Sequence, residues 1–156
     1  MLIPGAEFDF APAGTEGAEV HERQRSPFEM DLGFLVSFDK PHAFIGRAAL
    51  EAEKAGGSAW SLVGLELPGC TDSPANGDEV TLAATGEVVG FVTSGLYSPS
   101  LDRCIALASV AAAVGSGGAV GTAFSVSVGG DATPAVGVAK PFVAPERKAA
   151  TPAPRL

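Results

Sequence analysis

The sequence predicts an α+β fold, in which a short α/β portion precedes a small antiparallel β-barrel or sandwich. One stretch, Phe44–Ala55, has a clear helical composition, and it is followed by Gly56 and Gly57, which commonly end helices. After it, short apolar runs rich in β-branched residues recur, and turn residues separate them. A chain of 156 residues, 46% of them hydrophobic, is large enough for one buried core.

The N-terminal part combines a predicted arm with a turn or helix start. Residues Met1–Arg25 are rich in Gly, Ala, Pro and Glu, which predicts a loosely ordered arm that needs another surface. The segment Ser26–Glu29 has the pattern of a helix start, because a serine N-cap is followed three residues later by glutamate. It also fits a turn into a strand over Leu32–Phe38, and both interpretations stay open.

Six strands are predicted after the helix, because short apolar runs alternate with turn residues. They are Trp60–Leu67, Glu79–Leu82, Val88–Val92, Cys104–Val110, Ala123–Val128 and Ala135–Lys140. The strongest turn signal is Asn76-Gly77-Asp78, and further glycines at Gly86, Gly121 and Gly129 separate the later strands. Several short strands at this spacing are typical of a small antiparallel barrel or sandwich.

The stretch Glu87–Val110 organises the rest of the chain. Thr93-Ser94-Gly95 is predicted to break the first strand, and Tyr97-Ser98-Pro99-Ser100 to form a rigid bend, because proline fixes its own φ and extends the preceding residue. A stiff, hydroxyl-rich loop between two buried strands is a candidate binding element. The alternative is a wide hairpin connection whose hydroxyls cap their own backbone.

The predicted organisation therefore has four parts. Residues 1–25 form a flexible arm, and residues 26–59 form a strand–helix portion. Residues 60–145 form the β-barrel domain, and residues 146–156 form a disordered, basic and proline-rich tail.

Charge and apolar patterning argue against several classes of function. The net charge is −8 with 10 Lys and Arg residues and without a basic stripe, so we expect neither nucleic acid nor a membrane as partner. The N-terminus lacks the pattern of a signal peptide, and the longest apolar run, Cys104–Gly115, is too short to span a bilayer. We expect a soluble, cytoplasmic protein in which Cys70 and Cys104 are small core residues in a reducing environment.

Residue chemistry offers few catalytic candidates. His21 and His42 are isolated, so no metal site is predicted. The glycines between Gly115 and Gly121 miss the dinucleotide pattern, because Val120 occupies the position of its last glycine, and they fit strand turns better.

Three further residues each have a functional and a structural interpretation. Glu29 fits an acid beside a polar ligand or a capping carboxylate, and Lys40 fits an anion contact or an exposed strand-end lysine. Trp60 fits a core or interface anchor better than a stacking platform.

Several blocks of the sequence together resemble the glycine cleavage T-protein family, the folate-dependent aminomethyltransferases. The first two blocks, with Lys40 between them, are similar to the family's T-P-x-E-x-x-L-x-W/F and F-I-G-R/K-x-A-L passages. The blocks are Ser26–Phe34, Phe44–Leu50, Gly90–Gly95, Ser98–Leu101, Ile105–Ala108 and Lys140–Val143, in the family's order and spacing. The resemblance covers about Ser26 to Pro145, and it implies the family's C-terminal half with its closing β-barrel.

The resemblance also identifies what has no counterpart in this sequence. The family's N-terminal half, with its aspartate near the reacting folate nitrogen, is not matched, nor is the R-L-E-A-G segment with its pterin-contacting glutamate. Trp60-Ser61 stand where many members carry arginine before the strand. The resemblance thus implies a chain that walls a tetrahydrofolate site completed by a protein partner, which supplies the missing N-terminal half.

The residues that the resemblance places nearest to bound tetrahydrofolate are Lys40, Ser94, Tyr97 and Glu29. Lys40 lies where family members place a basic residue near the folate, and it is expected to meet the glutamate tail. Tyr97 is expected to stack or hydrogen-bond at the rim of the channel. No residue of this chain is expected to perform the chemical step, so Glu29→Gln and Asp102→Asn should leave turnover largely intact.

Two hypotheses follow. In the first, the chain is a hetero-oligomer subunit of a folate-dependent one-carbon transfer enzyme, an aminomethyltransferase or a demethylase that acts on a small methylated amine or ether. In the second, it is a non-catalytic assembly module that kept the barrel and lost the chemistry. We also expect an obligate partner, because Phe8, Phe10, Phe28 and Trp60 are more apolar surface than a short arm and an open sheet edge can hide.

Overall fold

The computed structural model describes residues 24–40 and 42–143. Within them, a 3₁₀ turn at Gly33–Leu35 and helix α1 at Arg47–Gly56 precede the strands. The strands are β1 Trp60–Leu67, β2 Glu79–Leu82, β3 Val88–Ser98, β4 Arg103–Ala111, β5 Ala123–Val128 and β6 Asp131–Val138. Between β4 and β5 lie a short helix α2, Ala112–Gly115, and a 3₁₀ turn, Ser116–Ala119.

The six strands close into one antiparallel barrel in the order β1-β4-β3-β2-β5-β6, with β6 pairing back onto β1. This confirms the predicted α+β fold with a closing barrel and decides against a sandwich. Closure leaves each barrel strand paired on both sides, so the sheet has no open edge on which another chain can add a strand.

The barrel core is built from one face of every strand. Along β5 the side chains alternate, so Phe124, Val126 and Val128 point inward while the residues between them do not. The other fully buried large side chains are Val63, Leu65 and Leu67 of β1, Val80 of β2, Val92 of β3, and Cys104 and Val110 of β4. These residues form one contiguous cluster, as expected for a single small domain.

The predicted strand over Leu32–Phe38 is wrong. The chain forms the 3₁₀ turn Gly33–Leu35 there, preceded by Asp31 with a φ of 60°. A strand needs a neighbour to pair with its backbone, and every strand of the closed barrel already has two. The apolar residues that suggested a strand instead face outward, with Phe34 80% and Leu35 66% exposed.

The predicted break at Thr93-Ser94-Gly95 is also wrong. The strand β3 continues to Ser98, and the register against β4 shifts between Val92 and Ser94, which marks a β-bulge. Glycine is needed at Gly95 because a Cβ there would lie 2.5 Å from the carbonyl oxygen of Pro74. Ser94 and Tyr97 therefore belong to a strand and not to a loop.

Of the predicted strand-turn glycines, Gly115, Gly117 and Gly118 lie in short helical elements, whereas Gly121 lies in the turn before β5 as predicted. The helix α2 follows β4 directly, and a Cβ at Gly115 would lie 2.6 Å from the Ser61 Cβ and 2.8 Å from the Val110 Cγ2. Glycine thus permits α2 to pack on the end of the barrel. The strand β6 also begins earlier than predicted, at Asp131.

The predicted arm lies outside the described residues except for Gln24 and Arg25, and the predicted tail lies outside them entirely. Among the helices of the described residues, none is both long and apolar enough to cross a membrane.

Candidate functional site

The outer wall of the barrel carries a row of side chains across three neighbouring strands. Leu62 of β1 and Phe91 of β3 both pair with Ser109 of β4. Ser109 lies between the core residues Ala108 and Val110 and thus on the opposite, outward face, yet it is only 2% exposed. A segment outside the barrel must therefore cover this row.

The covering segment is the turn over residues 26–31, and Glu29 holds it in place. The Ser26 amide donates to the Glu29 Oε2 at 3.0 Å, and the Glu29 amide donates to the Ser26 Oγ at 3.2 Å, which is a capping box. The other carboxylate oxygen of Glu29 accepts from the Trp60 amide at 3.1 Å, at the start of β1. The predicted pairing of Ser26 with Glu29 is present, but the segment forms a turn and no helix begins there.

Arg25 also packs against this outer wall of the barrel. Its guanidinium carbon lies 4.1 Å from the centroid of the Trp60 ring and 5.4 Å from that of Phe91, and its Nε donates to the Ser109 Oγ at 2.9 Å. Sequence reasoning missed Arg25 and Ser109, which lie 84 positions apart and carry no local signal for this contact. We call the contact between the turn over residues 26–31 and the barrel wall the joint. Trp60 is an anchor at this joint, as the sequence indicated.

The cavity enclosed at this joint is too small for a cofactor. It has a volume of about 30 Å³ and is lined by residues of the turn and of the row, including Arg25, Glu29, Leu62 and Ser109. That volume suits about one water molecule, far less than a pterin ring needs. The joint therefore fastens the turn to the barrel and does not itself form a ligand pocket.

A second contact ties the same turn to the end of the barrel chain. The Lys140 Nζ donates to the Asp31 Oδ2 at 2.6 Å and also to the carbonyl oxygen of Leu62 in β1. Lys140 follows β6, so the ammonium links the turn, β1 and the chain after β6.

Lys40 lies away from this joint, in a shallow groove beside helix α1. Leu35, Val36, Ser37, Phe44 and Leu50 line the groove with it. The Lys40 side chain is exposed, and its carbonyl oxygen accepts from Arg47 at 3.4 Å. Two cations lie over neighbouring aromatic rings. The Arg47 guanidinium carbon is 6.0 Å from the Phe44 ring centroid, and the Lys54 Nζ is 5.1 Å from the Phe38 ring centroid.

The same segment leaves four large apolar residues exposed, Leu32, Phe34, Leu35 and Ile45, which are together called the apolar face. These side chains are 38%, 80%, 66% and 103% exposed, respectively. The sequence placed uncovered apolar surface at Phe28 and Trp60 instead, but both are half-buried, with the Trp60 ring 6.1 Å from that of Phe91. Phe8 and Phe10 lie outside the described residues.

The second half of β3 exposes Ser94, Leu96 and Tyr97, and this stretch is called the β3 rim. Ser94 is exposed, and Tyr97 is 44% exposed. The Tyr97 hydroxyl donates to the Asp102 Oδ1 at 2.6 Å, and the Tyr97 amide donates to the Ser73 Oγ at 3.1 Å. The hydrogen bond to the Asp102 carboxylate, followed by burial, raises the pKa of the Tyr97 phenol, so this hydroxyl is a hydrogen-bonding group and not a base.

The four residues predicted to border a ligand lie in three settings. Glu29 belongs to the joint between turn and barrel, Lys40 to the groove beside α1, and Ser94 and Tyr97 to the rim on β3. Ser94 and Tyr97 lie three residues apart in the regular register of β3 with β4, so their side chains point to opposite faces of the strand. Their role as ligand-binding residues stays a prediction.

Replacing Glu29 by glutamine tests its structural role. Each carboxylate oxygen of Glu29 accepts a backbone N–H, whereas a glutamine amide has one acceptor and turns its NH₂ toward the other donor. We expect Glu29→Gln to lower the free energy of unfolding by about 1–2 kcal/mol. The measurement is urea denaturation. The control is Glu51→Gln, which breaks only the exposed i,i+4 pair with Arg47 and should cost less than about 0.5 kcal/mol. Equal stability of the two variants would contradict the structural role.

Comparison with known proteins identifies what the described residues resemble. Residues 61–144 match the family described as the glycine cleavage T-protein C-terminal barrel domain. Over 117 residues the chain is 45% identical to the aminomethyltransferase of Synechococcus sp. (strain CC9902), and the match covers 75% of this chain and 30% of that protein. Over 117 residues it is 41% identical to the aminomethyltransferase of Nostoc sp. (strain PCC 7120), with the same coverage.

A solved structure has the same fold. The glycine cleavage system aminomethyltransferase T from Bartonella henselae superposes with a TM-score of 0.65 at 24% identity, over 76% of this chain and 32% of that one. The chain thus spans about 30% of the length of the curated relatives that it matches.

Proposed function

We propose that this chain, which belongs to the glycine cleavage T-protein family and contains its C-terminal barrel domain, forms one wall of a tetrahydrofolate site in a one-carbon transfer enzyme. The observation that carries this proposal is the 45% identity to an aminomethyltransferase over 117 residues, more than the 84 residues of the barrel match at 61–144. The enzyme is of the aminomethyltransferase or demethylase type, and its second substrate is a small methylated amine or ether.

A protein partner supplies the part of the family fold that this sequence does not contain. The observation that supports this is the apolar face at Leu32, Phe34, Leu35 and Ile45, which is open to solvent. Exposed apolar clusters of this kind are typical of interaction surfaces. The partner covers this face and brings the groups that act on the folate.

This chain contributes position and exclusion of water, while the chemical step belongs to the partner. The engagement of its acidic side chains supports this division. Glu29 accepts two backbone amides, Asp31 pairs with Lys140, and Asp102 accepts from Tyr97. In the assembled complex, Glu29→Gln and Asp102→Asn should therefore retain turnover within several-fold, whereas loss of a general acid or base costs about a hundredfold or more.

Lys40 offers a direct test of the ligand side of the proposal. As an exposed point charge it should meet the glutamate tail, so Lys40→Ala should weaken tetrahydrofolate binding to the complex by about twofold to fivefold. The difference should shrink as salt rises, because exposed charges are screened. Isothermal titration measures both effects. The control is Lys54→Ala, which removes the same charge near the Phe38 ring; equal affinity of wild type and Lys40→Ala would remove Lys40 from the site.

The alternative function is a non-catalytic assembly module. It is favoured by the saturation of Glu29 and of the Tyr97 hydroxyl by groups of the protein itself. An assembled complex that binds no reduced folate, although it is stable and specific, would support this second function.

A further inference from the structure

The two cysteines of the chain lie together at one end of the barrel. Cys104 is in β4 and fully buried in the core, whereas Cys70 lies in the segment after β1, partly buried and packed against the core cluster. The Cys70 thiol donates to the Asp72 carbonyl oxygen at 2.6 Å, and the Cys104 sulfur lies 3.6 Å from the same oxygen. The Cys104 sulfur is also 3.6 Å from the Cys70 carbonyl oxygen. The two thiols are thus neighbours although 34 positions separate them.

The segment that carries Cys70 also contacts the β3 rim. In this segment the Ser73 Oγ accepts a hydrogen bond from the Tyr97 amide at 3.1 Å. The next residue, Pro74, packs so closely on β3 that only glycine fits at Gly95. Cys104 of β4 is the direct cross-strand partner of Tyr97 of β3. Any bond between Cys70 and Cys104 would therefore fasten the support of Tyr97 to β4.

We propose that Cys70 and Cys104 form a dithiol–disulfide pair that is oxidised by small-molecule disulfides, and that the resulting bond fastens the segment after β1 beneath the β3 rim. The partly exposed Cys70 thiolate attacks one sulfur of the oxidant, forms a mixed disulfide and releases one thiolate. The Cys104 thiolate then attacks the Cys70 sulfur and releases the second thiolate. Two thiol protons go to solvent, two electrons go to the oxidant, and one sulfur–sulfur bond forms in the protein.

The second step should be the slow one. Burial, together with the hydrogen bond to the Cys70 side chain, raises the pKa of the Cys104 thiol to about 11. Far below that pKa the thiolate fraction rises about tenfold for each pH unit, so closure of the internal disulfide should accelerate by about a hundredfold from pH 7 to pH 9.

The test treats the full chain with oxidised glutathione and follows intact mass and peptide maps over time at both pH values. Wild type should lose two hydrogens and yield a Cys70–Cys104 peptide pair. The Cys104→Ala variant should stop as a Cys70–glutathione mixed disulfide, and Cys70→Ser should stay unmodified while folded, because Cys104 is buried. A wild-type chain that stops at the mixed disulfide at pH 9, that keeps both thiols free, or that forms only intermolecular disulfides would overturn the proposal.

Two further readouts test the consequence for the rim. The oxidised wild type should melt at a temperature higher by roughly 10 °C, because the bond closes a long loop. Hydrogen exchange of the Tyr97 amide should slow in the oxidised chain and stay at the reduced rate in Cys104→Ala treated with the same oxidant. A disulfide that forms without slowing this amide would contradict the coupling to the rim.

Discussion

Gly90→Ala should strongly destabilise the barrel. A Cβ at Gly90 would lie 2.0 Å from the carbonyl oxygen of Ser109 and 2.7 Å from the Cα of Val110. Both atoms belong to the backbone of β4, which is held between β1 and β3 and has no room to move away. We expect a loss of about 3 kcal/mol or more, a large fraction of the 5–15 kcal/mol that stabilises an ordinary domain. Circular dichroism during urea denaturation measures it.

The matched control for this prediction is Gly56→Ala, at the last residue of α1. A Cβ there meets nothing within 4 Å, so the variant should match wild type or gain up to about 1 kcal/mol from the better helix propensity of alanine. If the free energy of unfolding of Gly90→Ala lies within about 1 kcal/mol of the wild-type value, the close approach of β3 to β4 at this position is wrong.

Charged substitutions on the apolar face should strongly weaken assembly while leaving the fold intact. Phe34 and Ile45 are 80% and 103% exposed, so Phe34→Asp with Ile45→Asp removes little packing within the chain itself. In the complex, each side chain is expected to gain about 1.5–3 kcal/mol from burial, so the double variant should bind the partner at least about a hundredfold more weakly. Sedimentation velocity and titration calorimetry with the partner measure this loss.

The control for the apolar face is Val120→Asp. Val120 is 61% exposed and lies outside the segment that carries the face, in the connection before β5. This variant should bind the partner as wild type does and should have the same thermal stability as the double variant. Undiminished partner binding by the double variant would place the interface elsewhere on the barrel.

Much of the barrel could be predicted because its signals are local. Alternating side chains with turn residues at both ends predicted β1, β2 and β5 with the bounds that the structure has. The capping box could likewise be predicted from Ser26 and Glu29, since its two partners are only three residues apart.

The failures arose where distant contacts decide the local structure. Gly95 suggested a break in β3, but its cause is the approach of Pro74 from another segment. The apolar run after Asp31 suggested a strand, yet a closed barrel offers it no edge for pairing. The contact of Arg25 with Ser109 spans 84 positions and carries no sequence pattern. Polar residues whose partners lie so far away could not be assigned to a site from sequence alone.

Titration of tetrahydrofolate into the chain alone and into the assembled complex tests the central claim most directly. The cavity between the turn and the barrel encloses only about 30 Å³, and Lys40 lies exposed in an open groove, so this chain alone should bind reduced folate weakly or not at all. With the partner bound over Phe34 and Ile45, the same titration should show saturable binding that weakens in Lys40→Ala. Equal affinity of the isolated chain and the complex would contradict a wall that needs a partner, and a complex that binds no folate would contradict a folate site.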